Sequence, residues 1–459
     1  MSGLKSKFLA DSEEKAFDIN HRSIMKFNIS KYDEQFQNGK LQYADLELAK
    51  KRAAKIKRNV INDLEKYLVE FEFNFHKNGG KVIWATDAKE AVAAVLDIVK
   101  FYDAKRVVKS KSMTTEEIDL NKHLEAFGVD TVETDLGEYI VQLEKEKPYH
   151  IITPIMHKSK EDVAEIFNRK FKLTKESTPQ DITAFVRKQL REKFIKADIG
   201  ITGANFLISD TGSIALTENE GNGVLSVSFP KIHIAIAGIE KIIPSIKDLD
   251  LFWSLLATHG TGQQISTYNS VLSGPRSEEE PDGPREMFVI LLDNGRHKVL
   301  EREFQKDAMA CIHCGACYNV CPVYKNIGGH AYNTVYGGPI GSVISPLMFG
   351  LEEYGHLSYA SSLCGKCDDV CPVQIPISQL LLFNRFEYVQ KGLLDKKLSK
   401  AVKNFKFVMN KKWILEKSNA GIKNFVLEYY FKPYWGNRRD FPKVAQSSFS
   451  QRWKKENRM

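Results

Sequence analysis

The sequence predicts an α/β domain preceded by helices and followed by a smaller, mainly helical cysteine-bearing domain and a helical basic tail. Three observations carry this expectation. From Lys81 to Asp293 short apolar runs alternate with helix-like segments, the rhythm of a largely parallel sheet. All seven cysteines of the 459 residues lie between Cys311 and Cys371. The net charge of +8 is uneven: from Lys391 to Met459 eighteen Lys and Arg face five Asp and Glu, a net +13, which leaves −5 for the rest.

At 43% hydrophobic and 27% charged residues the chain has the make-up of a folded globular protein of two or three domains. We divide it at 1–78, 79–299, 300–390 and 391–459. The opening MSGLKSKFLADSEEKAF has no apolar core of signal-peptide length, and no window approaches about 18 uninterrupted apolar residues. A cytoplasmic location is expected. The basic balance belongs to the tail and is not a nucleic-acid signature of the whole chain.

Residues 1–78 read as helical. Lys40 to His76 carries Leu41, Leu46, Leu48, Ala53, Ile56, Val60, Leu64, Leu68 and Phe71 near helical spacing, stopping at Asn78-Gly79-Gly80. The basic run Lys50 to Arg58 reads as that helix's solvated face rather than a nucleic-acid patch. In 79–299, strands are expected at Lys81–Ala85, Arg106–Lys109, Ala197–Thr202, Ile214–Thr217, His233–Ala237 and Met287–Asp293. A helix is expected at Ala88–Phe101, and another runs from a capping box at Thr114–Glu117 to Phe127. Asp210–Ser213 is a turn, and Pro275–Pro284 an acidic, proline-rich loop.

The cysteines form two related motifs. The first, CIHCGACYNVCP, places Cys311, Cys314, Cys317 and Cys321 before Pro322, the C-x2-C-x2-C-x3-C-P spacing of bacterial ferredoxins. Three thiolates at three-residue intervals on a loop with Gly315 wrap three corners of a cubane cluster. The fourth cysteine turns away towards a second cluster, and backbone N–H groups offset the anionic charge. The second motif, CGKCDDVCP, repeats the last three cysteines as Cys364, Cys367 and Cys371, with Ser361 where the first should stand. The crossed pattern gives one cluster Cys311, Cys314, Cys317 and Cys371. The other has Cys321, Cys364 and Cys367, and one corner without cysteine.

Two iron–sulfur clusters of the [4Fe-4S] kind are therefore expected, the second with a non-cysteine corner or as [3Fe-4S]. Ser361, a carboxylate such as Asp368, or water would fill that corner; a serine ligand is the weakest of these, because a hydroxyl gives up its proton less readily than a thiol. A zinc site would use four thiols and leave three without a role. The 42 residues between Cys321 and Cys364 exceed those of a compact small ferredoxin, and they include a helix around Ile344 to Leu351. That length suits the helical two-cluster domains of multi-subunit dehydrogenases.

With these motifs, CIHCGACYNVCPVY, GGHAYNTVYGGPIGSVISP and SSLCGKCDDVCPVQIPI, the sequence resembles the iron–sulfur subunit of bacterial lactate-utilisation complexes. Upstream, KSKSMTTEE, HIITPIMHKSKEDV, ADIGITGANFLISDTGSIALTENEGNG and THGTGQQISTYN resemble the LUD-type α/β domain that this family places before its clusters. The resemblance covers about residues 50 to 410. It implies a sugar-phosphate isomerase/CoA-transferase-like fold for the α/β domain. It also implies oxidation of L-lactate to pyruvate alongside a subunit with cysteine-rich domains and a stand-alone LUD-domain subunit. Seven cysteines are the family's own pattern.

The α/β domain has no GxGxxG, P-loop or HExxH. Gly221-Asn222-Gly223 suits a hairpin turn. Lys109 and Lys111, ahead of a helix start near Thr114, suit an anion or are exposed loop lysines. Glu218, Glu220 and Asn222 follow a strand and either line a pocket at the sheet's edge or serve the turn. His313 and His330 either tune a cluster or pack. In the tail, basic residues mix with Trp413, Phe425, Tyr429, Tyr430, Phe431, Tyr434 and Trp435. That composition suits partner docking or self-packing, with peripheral contact at the inner membrane face as the alternative. An electron relay is the leading functional expectation. The rivals are an α/β domain that is itself a 2-hydroxy-acid site, with no catalytic residue assigned, and a non-enzymatic redox sensor.

Overall fold

A computed structural model describes residues 3–411, 413, 419–435 and 440–457; the side chains of 431 and 433–435 lie outside the described set. Among the described residues ten strands form two sheets: β1 Lys81–Ala85, β2 Arg106–Lys109, β3 Asp130–Glu133, β4 Ile199–Thr202, β5 Phe206–Ile208, β6 Ser213–Glu218, β7 Ile232–Gly238, β8 Ile242–Ile243, β9 Tyr268–Leu272 and β10 Glu286–Leu292. The first sheet has the order β1-β10-β7-β4-β2-β3 and is parallel throughout. The second, β8-β5-β6-β9, is mixed.

Both faces of the parallel sheet are covered, which is why its strands read as near-continuous apolar runs. Side chains alternate across the pleat. Phe288, Ile290 and Leu292 of β10, with Ile232, Ile234 and Ile236 of β7, pack under the helix Ala88–Phe101. Met287, Val289 and Leu291, with Ala235 and Ala237, face the second sheet and the helix Leu64–Lys77.

Three expectations in this region are corrected. The long helix from Lys40 is a 3-10 turn, Lys40–Gln42, followed by helices Leu46–Asn62 and Leu64–Lys77. Asp45 caps the first helix by accepting from Leu48 N–H at 2.8 Å, and Asp63 leaves helical dihedrals between them. The helix near Thr114 is capped by Ser112 instead, and it stops at Glu117 before a second short helix, Leu120–Ala126. Gly221, at φ +76°, opens the helix Asn222–Ser228 rather than a hairpin.

The cysteine segment is helical, with Ala316–Val320, Tyr324–Ile327, Gly338–Phe349, Lys366–Val370 and Ile377–Gln390. Its composition changes near residue 300, but packing runs across that point. Tyr149, Ile151 and Phe252 share one core with Tyr318, Tyr324, Ile340 and the buried cysteines. Ser2–Glu387 is one compact unit, and the remainder from Tyr388 is a second.

The basic run at Lys50 is only partly solvated. Lys51, Arg52 and Lys55 are exposed, whereas Lys50 donates to the Asp369 carbonyl at 2.8 Å. Lys57, also buried, donates to the carbonyls of Glu240 and Ile242. The run therefore stitches the N-terminal helix to the rest of its unit.

The tail unit contains the helices Lys396–Met409, Ala420–Trp435 and Phe449–Glu456. Trp413, Phe425, Tyr429 and Tyr430 are exposed; the side chains of Phe431, Tyr434 and Trp435 lie outside the described residues. Among the described residues no helix is long and apolar enough to cross a membrane.

Candidate metal centres

The two cysteine motifs fold as one structure used twice. In the first, His313 has φ +56° and Gly315 φ +75°, the helix Ala316–Val320 follows, and Cys321 is extended. In the second, Leu363 has φ +54° and Gly365 φ +79°, the helix Lys366–Val370 follows, and Cys371 is extended. Glycine at the left-handed position lets the chain turn tightly at no steric cost. A Cβ on Gly315 would come within 3.1 Å of Ile152 and 3.3 Å of Ile151, so that loop is pressed against the α/β domain. The likeness extends to the missing cysteine: His313 N–H donates to Cys311 Sγ at 3.3 Å, and Leu363 N–H donates to Ser361 Oγ at 3.1 Å.

Cys311, Cys314, Cys317 and Cys371 line one small cavity, although Cys371 follows Cys317 by 54 residues. Apart from His313 its other walls are largely apolar, with Ile151, Ile312, Ile340, Val373, Ile375 and Ile377. Burial pushes all four thiols up, Cys311 to about 12, and mutual repulsion adds to this in Cys311, Cys314 and Cys317. Four convergent thiols that resist ionising together form a donor set suited to a cationic iron core, which would stabilise them as thiolates. Cys371 Sγ also accepts from Ile375 N–H at 3.4 Å. The residues fit a cluster.

Cys321, Cys364 and Cys367 form the second group; the charge of Cys321 acts on Cys367, and that of Cys364 on Cys321. Cys321 Sγ accepts from Tyr324 N–H at 3.5 Å. Cys364 is exposed, so this group lies nearer solvent. All seven thiols are free. The Asp368 carboxylate accepts from Ser378 N–H at 2.8 Å and from the Ser378 hydroxyl, and it also meets Cys367 Sγ at 3.4 Å. Around both groups stand Tyr318 and Tyr332, whose buried hydroxyls have no hydrogen-bond partner among the described residues. His330 donates to the Lys147 carbonyl at 2.7 Å and packs.

Between the first cysteine group and the sheet runs a buried chain of charges that the sequence reading missed. His313 Nε2 donates to Glu240 Oε1 at 3.2 Å, Arg296 Nε donates to Glu240 Oε2 at 2.5 Å, and Arg296 Nη2 donates to Glu117 Oε2 at 2.8 Å. Tyr336 OH donates to the same Glu117 oxygen at 2.5 Å. Burial alone would raise the Glu240 carboxyl, but Arg296 and His313 hold it well below the usual range. These residues stand far apart in sequence with no shared motif, so only a composition-blind pairing of Glu and Arg in apolar surroundings could have suggested them.

Beyond His313 lies a cavity of about 490 Å³ outside the C-terminal ends of β2, β3 and β4. Glu218, Glu220, Asn222 and Lys111 line it, as the sequence allowed. Lys109 does not, and it is no loop lysine either. It is fully buried, with its ammonium 2.8 Å from Glu133, 3.3 Å from Glu116 and 3.9 Å from Glu138. Burial pushes the ammonium down, and the three carboxylates hold it well above its usual range. Glu218 accepts from Gly223 N–H at 2.6 Å and Val224 N–H at 2.8 Å, so it serves the turn as well as the cavity. Sequence reasoning missed Lys241, which also lines this cavity.

Comparison with known proteins assigns residues 68–292 to the LUD domain and residues 307–375 to the 4Fe-4S dicluster domain. Lactate utilization protein B of Shouchella clausii is 44% identical over 77% of this chain and 74% of its own length. Its namesake in Bacillus velezensis is 42% identical over 80% of this chain and 78% of its own length. An uncharacterized electron transport protein of Escherichia coli is 42% identical over 78% of this chain and 75% of its own length. A crystal structure of a DUF162 family protein from Deinococcus radiodurans aligns at a TM-score of 0.29, with 16% identity over 50% of this chain and 98% of that one.

Proposed function

The chain belongs to the lactate utilization protein B family, and on that premise we propose that it is the two-cluster electron-transfer subunit of a complex oxidising L-lactate to pyruvate. The observation that supports this most is the meeting of Cys311, Cys314, Cys317 and Cys371 in one apolar cavity. They would hold the first cluster; Cys321, Cys364 and Cys367 would hold the second, with Ser361 as the candidate for its remaining corner. Iron–sulfur clusters, when bound, supply one-electron oxidation and reduction.

The chain's own residues set the surroundings. N–H groups of His313, Tyr324 and Ile375 donate to the sulfurs and offset their negative charge. The isoleucine and valine walls exclude water from the first group. The exposed Cys364 makes the second group the better exit to an acceptor.

Its partners are a subunit with cysteine-rich domains and a stand-alone LUD-domain subunit. The basic tail, with exposed Phe425, Tyr429 and Tyr430, docks on one of them; peripheral contact with anionic lipid is the alternative. The chain acts in the cytoplasm. In the test, the isolated chain, fully loaded with iron, is expected to oxidise no L-lactate until both partners are added. Turnover by the isolated chain overturns the pure electron-transfer role and favours a catalytic α/β domain, for which Glu218 and Glu220 in the large cavity speak.

A further inference from the structure

The large cavity holds a charge that the electron-transfer role leaves unused. Its volume, about 490 Å³, lies in the range of pockets that enclose organic ligands. Lys241, in the turn after β7, brings an ammonium group to its wall. Lys241 makes no hydrogen bond or ion pair with any described residue. The adjacent Glu240 carboxylate is committed to Arg296 and His313. A partly buried cation whose neighbouring carboxylate is shared with other partners is costly, and a bound anion relieves that cost. Burial accordingly pulls the Lys241 ammonium below its usual range.

The rest of the lining narrows the class of anion. Ser112, Asn205 and Asn222 are neutral and polar; Glu218, Glu220 and Asp135 are acidic, and the second cation, Lys111, is engaged by Asp135 at 3.9 Å and by the Ile152 carbonyl. Burial first, and then Asp135, push Glu220 up to about 7. An acidic wall disfavours a polyphosphate. It accepts a molecule with one anionic end and hydroxyl or carbonyl groups beyond it.

We propose that this cavity binds a carboxylate-bearing organic molecule, with its carboxylate on Lys241 and its hydroxyl or carbonyl portion towards Glu218 and Glu220. His313 and Ile151 belong to the walls of both this cavity and the cysteine cavity, so the bound molecule lies one side chain from Cys311 and Cys314. Such a carboxylate comes either from a 2-hydroxy or 2-oxo acid, which fills part of the space, or from a larger organic cofactor that stays with the protein. The inference stands apart from the relay: its failure would leave the iron content untouched.

The experiment uses the full iron-loaded chain. Calorimetric titration with L-lactate and with pyruvate tests the first source; mass spectrometry of an acid extract tests the second. Saturable binding, or a stoichiometric carboxylate in the extract, is expected in the wild type and in Lys241→Arg. Lys241→Gln is expected to weaken binding at least tenfold or to empty the extract, with iron content unchanged. Should Lys241→Gln fold poorly, Asn205→Asp keeps the acceptor for Thr217 N–H, at 2.9 Å in the wild type, and adds a repelling charge. It is expected to weaken binding likewise. The proposal is overturned if neither probe binds and the extract holds no carboxylate, or if the folded variant binds as the wild type does.

Discussion

Ser361 stands where Cys311 would be if the second motif were complete. The N–H two residues on donates to the side-chain atom in both, at 3.1 Å to Ser361 Oγ and 3.3 Å to Cys311 Sγ. The residues that donate, Leu363 and His313, share a left-handed backbone. Asp368 meets Cys367 Sγ at 3.4 Å but is also held by Ser378, so the serine, whose backbone setting matches that of Cys311, is the candidate to test at the uncysteined corner.

Ser361→Cys is therefore expected to complete a four-thiolate set. Iron per chain after brief exposure to air should rise above the wild type, and any oxidised three-iron EPR signal should vanish. A persistent three-iron signal in a variant whose thiols are all reduced would place the weak corner elsewhere.

The crossed arrangement makes a second prediction. Cys371→Ala, in the second motif, should cost the cluster of the first motif, while Cys364→Ala should cost the other. Each variant is expected to keep about four irons if both clusters are cubanes. EPR of the reduced variants should show two different single spectra, each without the coupling between clusters. Identical residual spectra would contradict the crossing.

Lys109 is predicted to matter for stability. Lys109→Met leaves Glu133 and Glu138 buried without their cation, a loss of about 3–5 kcal/mol in urea unfolding. Lys111→Gln, at a cavity wall and partly exposed, should cost less than about 1 kcal/mol. Equal losses would remove the distinction drawn between the two lysines.

His233 is fully buried, its Nε2 2.9 Å from Thr202 Oγ1, and burial lowers it to about 3 from an ordinary value of 6.5. The unfolded imidazole takes up its proton near 6.5, so between about pH 6.5 and 3 the unfolded chain binds more protons. This residue's contribution to stability thus falls as the pH drops, by roughly 1.4 kcal/mol per unit. In denaturant titrations across pH 6.5 to 4.5, His233→Gln should show a shallower loss than the wild type. Parallel curves would refute the assignment.

Much of the fold was legible because both faces of the parallel sheet are buried. Apolar runs such as Met287–Leu292 and Ile232–Ala237 suit little else. The cysteine loops were legible because their spacing is local, and local spacing is what sets their geometry. What escaped was the matter of long-range pairing. Lys109 looked like a loop lysine because nothing in sequence brings Glu133 and Glu138 to it. Lys57 looked solvated because its two carbonyl partners follow it by more than 180 residues. The chain from His313 through Glu240 and Arg296 to Glu117, and the position of Lys241 at the cavity wall, exist only once the sheet has placed them.

The central claim is that seven cysteines and Ser361 hold two clusters. Iron and acid-labile sulfide should be assayed on the anaerobically purified chain, with EPR spectra before and after dithionite. About seven to eight irons per chain and a coupled reduced signal are predicted. Zinc in their place, or little iron after anaerobic reconstitution, would contradict it.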